Sequence, residues 1–545
     1  MAIITATLLS EGKKIDAIYS LISIDIRREA NRIPYASLAL LDGDAAKRTF
    51  ELSNAKYFEP GKEIEIRLRY ESQTKDATVF KGYVVRHAVE ANEQGSLLQV
   101  ELKDKAVKLT RSRKSAVFVD LSDSEVIDKL IKASGLKSGK IEATKPKHPQ
   151  LVQFGCTDWD FLLLRAESQG LLVGVTDGEV SLRKVDLSGP AKASFNYGIS
   201  EIYNFEFGLD LGDQVSKVTS SGWDLKELKI SPVTNGKAFA LKQGNLQGDK
   251  LANAVGFAPC LLSYPQLAHD ERQAWTDGRL MRSRLSMIRG RLSVTGFADI
   301  KLFDLIEIDG IGDRFNGKAL VTGICHRVDL NGWRTDIQYG LSATLFAQEV
   351  AVQEPSTSGL LSGISGLHVA VVDQFEEDPD KQFRVRILLP GIDEKSGSVW
   401  ARLAAPDAGK NRGWFFRPEV GDEVVVGFFQ NDPRQPVILG AMYSSKSMPS
   451  DKYSKVSKEN KTRSIVTKTG SVIGFIDDKK GSVFIETAEG AKVLLDDENK
   501  LMQLVDQNGN EIILNKDGIS IKSCKDLILE ASGNVEIKGA KVNVK

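Results

Sequence analysis

The 545-residue sequence predicts a mainly β chain: β-barrel domains with a few inserted helices, a small barrel, and a terminal run of short repeating strands. Three observations predict it. Apolar and polar residues alternate at period two in Ile64–Tyr70 and again in Leu98–Leu102, the pattern of a half-buried strand. Helical spacing is confined to three stretches of the first 350 or so residues. Beyond Thr462 short apolar-alternating segments recur to the last residue, separated by Gly, Asn and Asp.

Length and composition set the outer limits. A chain of 545 residues exceeds one ordinary domain, so three or four units are expected. Hydrophobic residues are 41% and charged residues 27%, enough apolar material for several cores. Lys plus Arg and Asp plus Glu are both 73, so the basic excess of a nucleic-acid binder is missing and no nucleic-acid partner is expected. The cysteines Cys156, Cys260, Cys325 and Cys524 form no CxxC pair and read as reduced, idle thiols. Met1–Leu9 lacks a basic flank and runs into polar residues, so it reads as a strand and not as a signal peptide. No apolar run approaches the roughly 20 residues that span a bilayer. The expectation is a protein made in the cytoplasm that leaves the cell, if it does, without the general export route.

Along the chain, Ser122 and Glu125 fit a capping box, and Val126, Ile127, Leu130 and Ile131 form one apolar stripe behind it. A second helix is expected over Trp159–Gln169, with Asp158 as its cap and Gly170 as its stop. A third is expected over Asp270–Arg289, and strands return from Gly290 to about Ser342. The small-residue stretch Glu354–Leu367 reads as a linker. From His368 to Tyr443 the segments Phe383–Ile387 and Val424–Phe429 alternate, and Gly421 supplies a turn residue with cheap positive φ. Short strands around one core of that size fit a small OB-type barrel. Ser444–Thr462 is a second linker, rich in Ser and Lys.

The terminal segment has a register. Ile519/Ile521, Leu527/Leu529, Val535/Ile537 and Val542/Val544 are same-face apolar pairs at steps of 8, 8 and 7 residues. Val483/Ile485, Val493/Leu495 and Ile512/Leu514 are looser versions of the same unit. One such chain offers only a thin core, and short repeats need neighbours. Three copies wound together would bury every pair on a common axis, each side chain contributing roughly 1.5–3 kcal/mol, and would remove open strand edges. An intertwined trimeric β-helix is therefore favoured over a two-sheet sandwich or a single-chain β-helix.

The order of these parts resembles the VgrG family and the related spike proteins of phage tails and extracellular contractile injection systems. The most specific segments are Pro418–Phe428, Asp432-Pro433 and Pro436–Gly440, with Trp400–Arg402 and Gly413-Trp414, which look like that family's OB domain. Asp158–Gly170, Gly332–Thr335 and Gly340–Ser342 resemble its hub. The resemblance implies a hub with two related β-barrels and inserted helices (1–353), a linker (354–367), an OB-fold collar (368–443), a linker (444–462) and a trimeric β-helix spike (463–545). It implies a structural part of a phage tail-like or type VI secretion apparatus, mechanical in action and without catalysis. The implied partners are two further copies in a homotrimer, a hexameric inner-tube protein, baseplate proteins, a PAAR-type tip protein and noncovalent effector cargo. Lys541, Val542, Asn543, Val544 and Lys545 would meet the tip protein. No cofactor and no metal is expected.

Candidate chemistry is thin. The five histidines, His87, His148, His269, His326 and His368, form no HxH or HxxxH spacing, and Cys325-His326 is the nearest thing to a metal pair. Gly310-Ile-Gly312 opens like a dinucleotide loop, but Phe315 takes the third glycine's place, so a turn is expected. Asp477-Asp478 and Asp496-Asp497 fall between strand pairs and read as solvated turns rather than paired glycosidase acids. Arg279, Arg282, Arg284, Arg289 and Arg291 read as a solvated helix face. The alternative is a trimeric β-helix tailspike enzyme acting on polysaccharide; it needs an acid-lined groove on roomy repeats, and these repeats are short. A fused effector would need a further domain, whereas the repeats run to Lys545.

Overall fold

The structure is a computed structural model that describes residues 3–15, 21–93, 95–224, 227–263, 267–349, 352, 356–390, 398–454 and 458–544. The chain forms two compact units, Met1–Glu354 and Pro355–Lys545.

In the first unit the alternating segments form strands β1 (Ile4–Ser10), β2 (Leu21–Glu29), β3 (Tyr35–Leu41), β4 (Glu63–Tyr70), β5 (Ala77–Asn92) and β6 (Gly95–Lys103). Helices α1 (Asp123–Ala133) and α2 (Asp158–Ser168) follow, then the hairpin β7 (Leu171–Thr176) and β8 (Glu179–Lys184). The remainder is β9 (Ala193–Asn196), β10 (Ile202–Leu209), α3 (Gly248–Val255), α4 (His269–Met287), β11 (Ile288–Thr295), β12 (Leu305–Asp309), β13 (Gly317–Asp329) and β14 (Gly332–Tyr339).

Strands β10-β11-β14-β13-β2-β3-β6-β5-β4-β1 are hydrogen-bonded neighbours in one sheet. Its two halves meet where β13 pairs antiparallel with β2, Cys325 opposite Arg27. Each half has a core of its own. Ile24, Ile26, Leu38, Ile66, Phe80, Leu98 and Val100 fill the first, and Leu292, Val294, Ile306, Val321, Ile324 and Ile337 the second. Every fully buried Leu or Ile contributes roughly 1.5–3 kcal/mol. The large sheet of the first unit thus carries two cores, one on each half.

The helices follow their local signals. Ser122 caps α1 in a reciprocal box with Glu125, and Val126, Ile127, Leu130 and Ile131 are buried. The α2 cap is Thr157, whose hydroxyl accepts from the Asp160 N–H at 3.1 Å, and not Asp158. Asp158 sits one residue inside the helix, buried, with Lys114 at 2.6 Å. Gly170 ends the turn at φ +65°. Helix α4 ends at Met287, so Arg289 and Arg291 lie on β11 and leave the expected helix face.

In the second unit β15 (His368–Gln374), β16 (Val385–Leu388), β17 (Val399–Leu403), β18 (Glu423–Phe428) and β19 (Pro436–Ala441) close a five-stranded barrel. Its core is Ala370, Val372, Val385, Ile387, Ala401, Val424, Val426 and Ile438. Gly421 takes φ +89° in the turn before β18. Phe383, expected inside the alternation, lies before β16 and is exposed. Seven strands follow: β20 (Thr462–Val466), β21 (Val472–Ile476), β22 (Ser482–Glu486), β23 (Lys492–Asp496), β24 (Leu501–Val505), β25 (Glu511–Asn515) and β26 (Gly518–Lys522).

Candidate functional site

Strands β20 to β26 form an antiparallel meander in which each pairs with the next. A side chain on a strand faces the same way as the partner directly opposite, so the register writes out the faces. Ile473 stands opposite Ile485, Ile485 opposite Val493, Val493 opposite Leu504, Leu504 opposite Ile512, and Ile512 opposite Ile521. Beside this column runs a second, through Phe475, Val483, Leu495, Met502, Leu514 and Ile519. Two apolar columns thus cross six strands on one face; Ile512 and Leu514 are half-buried and the other members are exposed, up to 72% at Ile519. A trough of about 560 Å³ follows the first column between Ile485 and Leu527.

The opposite face is covered by the chain itself at β21 and β22 and half-buried from there to Ile513. Phe484 is buried over Gly474, Tyr453 packs on Phe484 with ring centroids 6.0 Å apart, and Lys452 pairs with Glu486 at 3.0 Å. One copy therefore finishes one side of the sheet and leaves the other apolar and open, a surface of the kind that marks association.

After Lys522 the described residues carry no strand. The pairs Leu527/Leu529, Val535/Ile537 and Val542/Val544, expected as three more strands, are exposed and unpaired within one chain. Lys541 and Asn543 are exposed too, and Lys545 lies outside the described residues.

The turn carboxylates are engaged by nearby side chains and backbone groups. Asp477 pairs with Arg463, and Asp478 lies 3.3 Å from Lys461. Asp496 accepts from the Asn499 N–H at 3.0 Å. Hydrogen bonds from Asn510 and Asn508 hold the Asp506 carboxyl down at about 2.

The other candidates are dispersed. His326 is buried, with Nδ1 3.0 Å from Thr335 Oγ1, and burial pushes its pKa down to about 3. Burial pushes the neighbouring Cys325 thiol up to about 11. His87 lies between Ser53 Oγ (2.8 Å) and the Phe58 carbonyl (3.0 Å), His269 is exposed at the start of α4, and His368 lies 3.1 Å from the Ser365 carbonyl. Gly310 and Gly312 turn β12 into strand β13, not into a helix, and Phe315 packs on the second core. Among the described residues no group of three or more His, Cys, Asp or Glu could hold a metal ion.

Two clusters carry no sequence signal. His148 joins Asp123, Arg165 and Glu271 in a buried network: Arg165 donates to Asp123 at 2.5 Å and to Glu271 at 2.7 Å, and His148 Nε2 is 3.1 Å from Asp123 Oδ2. These residues come from four separate segments, so no spacing links them. Arg284 is buried and Arg282 half-buried in α4, which corrects the solvated-face reading; Arg282 pairs with Glu167 at 3.2 Å.

Residues 1–329 match the family described as the Alg8 N-terminal domain, more than half of the chain. The chain belongs to the Alg8 N-terminal domain family. Residues 368–443 match the type VI secretion system/phage-baseplate injector OB domain. The spike protein VgrG5 of Pseudomonas aeruginosa is 37% identical over 98 residues, 17% of this chain and 12% of the relative. VgrG1c of the same organism is 32% identical over 92 residues, 16% of this chain and 13% of the relative. The chain thus spans about an eighth of the length of the curated relatives it matches. A prophage MuSo2 43 kDa tail protein from Shewanella oneidensis is 14% identical, covering 63% of this chain and 99% of its own, with a TM-score of 0.47. Through its OB domain and these matches the chain is similar to VgrG spike proteins.

Proposed function

We propose that the chain is the hub and spike of a contractile injection apparatus: a homotrimer that joins a hexameric inner tube to a puncturing tip and acts mechanically, without catalysis. The observation that carries this is the pair of exposed apolar columns across β21–β26, continued by the unpaired residues 523–544. Three copies turning these columns onto one axis would bury them together, and the tails would find strand partners in the other chains. The two cores on the large sheet of the first unit support the hub role, since three chains would offer six such halves to a six-fold tube. The engagement of Asp477 by Arg463 on β20, and of Asp496 and Asp506 by their own turns, favours a stiff rod over a polysaccharide-cutting groove.

On the same reading Lys541, Val542, Asn543, Val544 and Lys545 receive a PAAR-type tip protein, and baseplate proteins and effector cargo are further partners. Assembly would carry the protein out of the cell as part of the particle. No helix among the described residues is long and apolar enough to cross a membrane. Light scattering on the purified chain tests the proposal: it should report three times the 59.8 kDa chain mass. A folded monomer at micromolar concentration would refute it.

A further inference from the structure

We infer that the sheet edge at residues 205–210 of one copy pairs antiparallel with the edge at residues 86–91 of the next, so that the first units of three copies close into a ring. The inference rests on the homotrimer proposed above and names the surface that joins its hubs. The template lies within one chain. The two halves of the large sheet repeat one strand order, β2-β3-β6-β5-β4-β1 in the first and β10-β11-β14-β13-β12-β9 in the second. Their bulges repeat as well. The β2–β3 ladder shifts register at Ile22 and β10–β11 at Tyr203; β5–β6 shifts at Val85 and β13–β14 at Thr322. Counting from these bulges matches residues 86–91 to 323–328 and residues 205–210 to 24–29. Residues 323–328 and 24–29 are the two strands of the internal joint, with His326 opposite Ile26 and Arg327 opposite Asp25.

The matching edges are open. Among the described residues β10 has β11 as its one strand neighbour, and from residue 86 to 91 β5 pairs with β6 alone. An open edge is a template for a further strand. Carrying the internal register across puts Val89 opposite Phe207, Ala91 opposite Phe205 and Arg86 opposite Asp210. At the internal joint Ile24, Ile26 and His326 are no more than 1% exposed, whereas Phe205, the counterpart of Ile24, is 39% exposed and Val89, the counterpart of His326, is 43% exposed. These apolar side chains lack the neighbouring strand that their counterparts have. Arg86 and Asp210 add a cross-strand pair of opposite charge, which is favourable. Glu90 opposite Glu206 is adverse, but Glu206 also has Arg291 directly opposite it on β11. The two edges differ, so copies add head to tail, and a head-to-tail contact that closes makes a ring. One kind of joint then serves within and between chains. The joint is short, so the apolar columns hold the copies together and the edges pair at the high effective concentration that results.

Cysteine cross-linking tests the register. Ala88 falls opposite Gly208 on the face away from the core, and a Cβ at Gly208 meets nothing within 4 Å, so neither substitution crowds the fold. The full chain carrying Ala88→Cys and Gly208→Cys, oxidised when dilute, should run as covalent dimers and trimers on a denaturing gel without reductant. Their yield should exceed that of either single variant, and of the unaltered chain with its native cysteines, by about tenfold or more, because a disulfide forms only between closely opposed Cβ atoms. Light scattering on the same double variant before oxidation separates the joint from the assembly. A trimer that gives no cross-linking above the single variants overturns the strand joint and leaves the homotrimer standing. A folded monomer overturns both.

Discussion

Gly170 and Gly278 meet backbone to backbone: a Cβ on Gly170 would stand 2.7 Å from the Gly278 Cα, and one on Gly278 would stand 2.6 Å from the Gly170 Cα. The C-terminal stop of α2 therefore crosses the middle of α4 with no room for a side chain. Gly278→Ala gains about 1 kcal/mol of helix propensity, but the clash is with backbone, which no rotamer change relieves. We expect a net loss of about 1–2 kcal/mol, read as a lower calorimetric midpoint for the first unit. A midpoint equal to or above that of the unaltered chain would mean the crossing spreads freely.

Asp104 gives the first unit a pH dependence. Its carboxylate accepts from the Ala106 N–H at 2.8 Å and the Gly178 N–H at 3.0 Å, yet burial pushes its pKa from 3.8 up to about 6. Between these values the folded chain keeps a proton that the unfolded chain has lost, so stability falls as pH rises. The loss amounts to about 3 kcal/mol once pH exceeds the folded value. Asp104→Asn removes the titration, although it also costs the hydrogen bond to Gly178. Urea denaturation of both proteins from pH 4 to 7 should therefore give a stability difference that shifts in favour of the amide variant as pH rises. A difference that stays flat would show that the carboxyl is ionised throughout.

Local signals were legible in the sequence and long-range partners were not. The Ser122–Glu125 box and the Val126–Ile131 stripe lie within one helix, so residue order alone states them. Adjacent Thr157 and Asp158 are both good caps, and the choice turns on Asp158 finding Lys114 in a distant strand. Arginine burial in α4 depends on Glu167 and Gln214, far away in the chain, so periodicity could only suggest a solvated face. The joint between Cys325 and Arg27 is likewise invisible to a pattern that reads neighbours. Four of the six pairs in the apolar columns were legible, because alternation along a strand fixes the face of every side chain, whereas Ile473/Phe475 and Met502/Leu504 were not read from the sequence. The eight-residue pairs after Lys522 form no strands in one copy, an outcome that their apolar alternation does not display.

Gly474 lies directly opposite Phe484, and a Cβ there would enter the space of the Phe484 ring. That ring also supports Tyr453 and lies beneath the Lys492 ammonium. Gly474→Ala should push the ring off the sheet and free the Tyr453 segment, at a cost of about 1–3 kcal/mol. Limited proteolysis should then cut near Lys452 faster than in the unaltered chain. Unchanged cleavage would indicate that the ring shifts without releasing Tyr453.

Val493 and Leu504 face each other across β23 and β24, at the centre of the first apolar column. Both are well exposed in one copy, so charged replacements there disturb little within the chain itself. In a trimer with the columns on its axis, Val493→Asp together with Leu504→Asp would bring six carboxylates into one apolar layer. Each lost apolar contact costs roughly 1.5–3 kcal/mol, and each buried unpaired charge costs several more. The variant should keep its β circular dichroism and the barrel of β15–β19, while its mass by light scattering falls to 59.8 kDa. The outer-face variant Lys492→Asp, one residue from Val493 but on the other side of the sheet, should remain assembled. If the double variant assembled as well as the outer-face variant, the two columns would not be the face that holds the copies together.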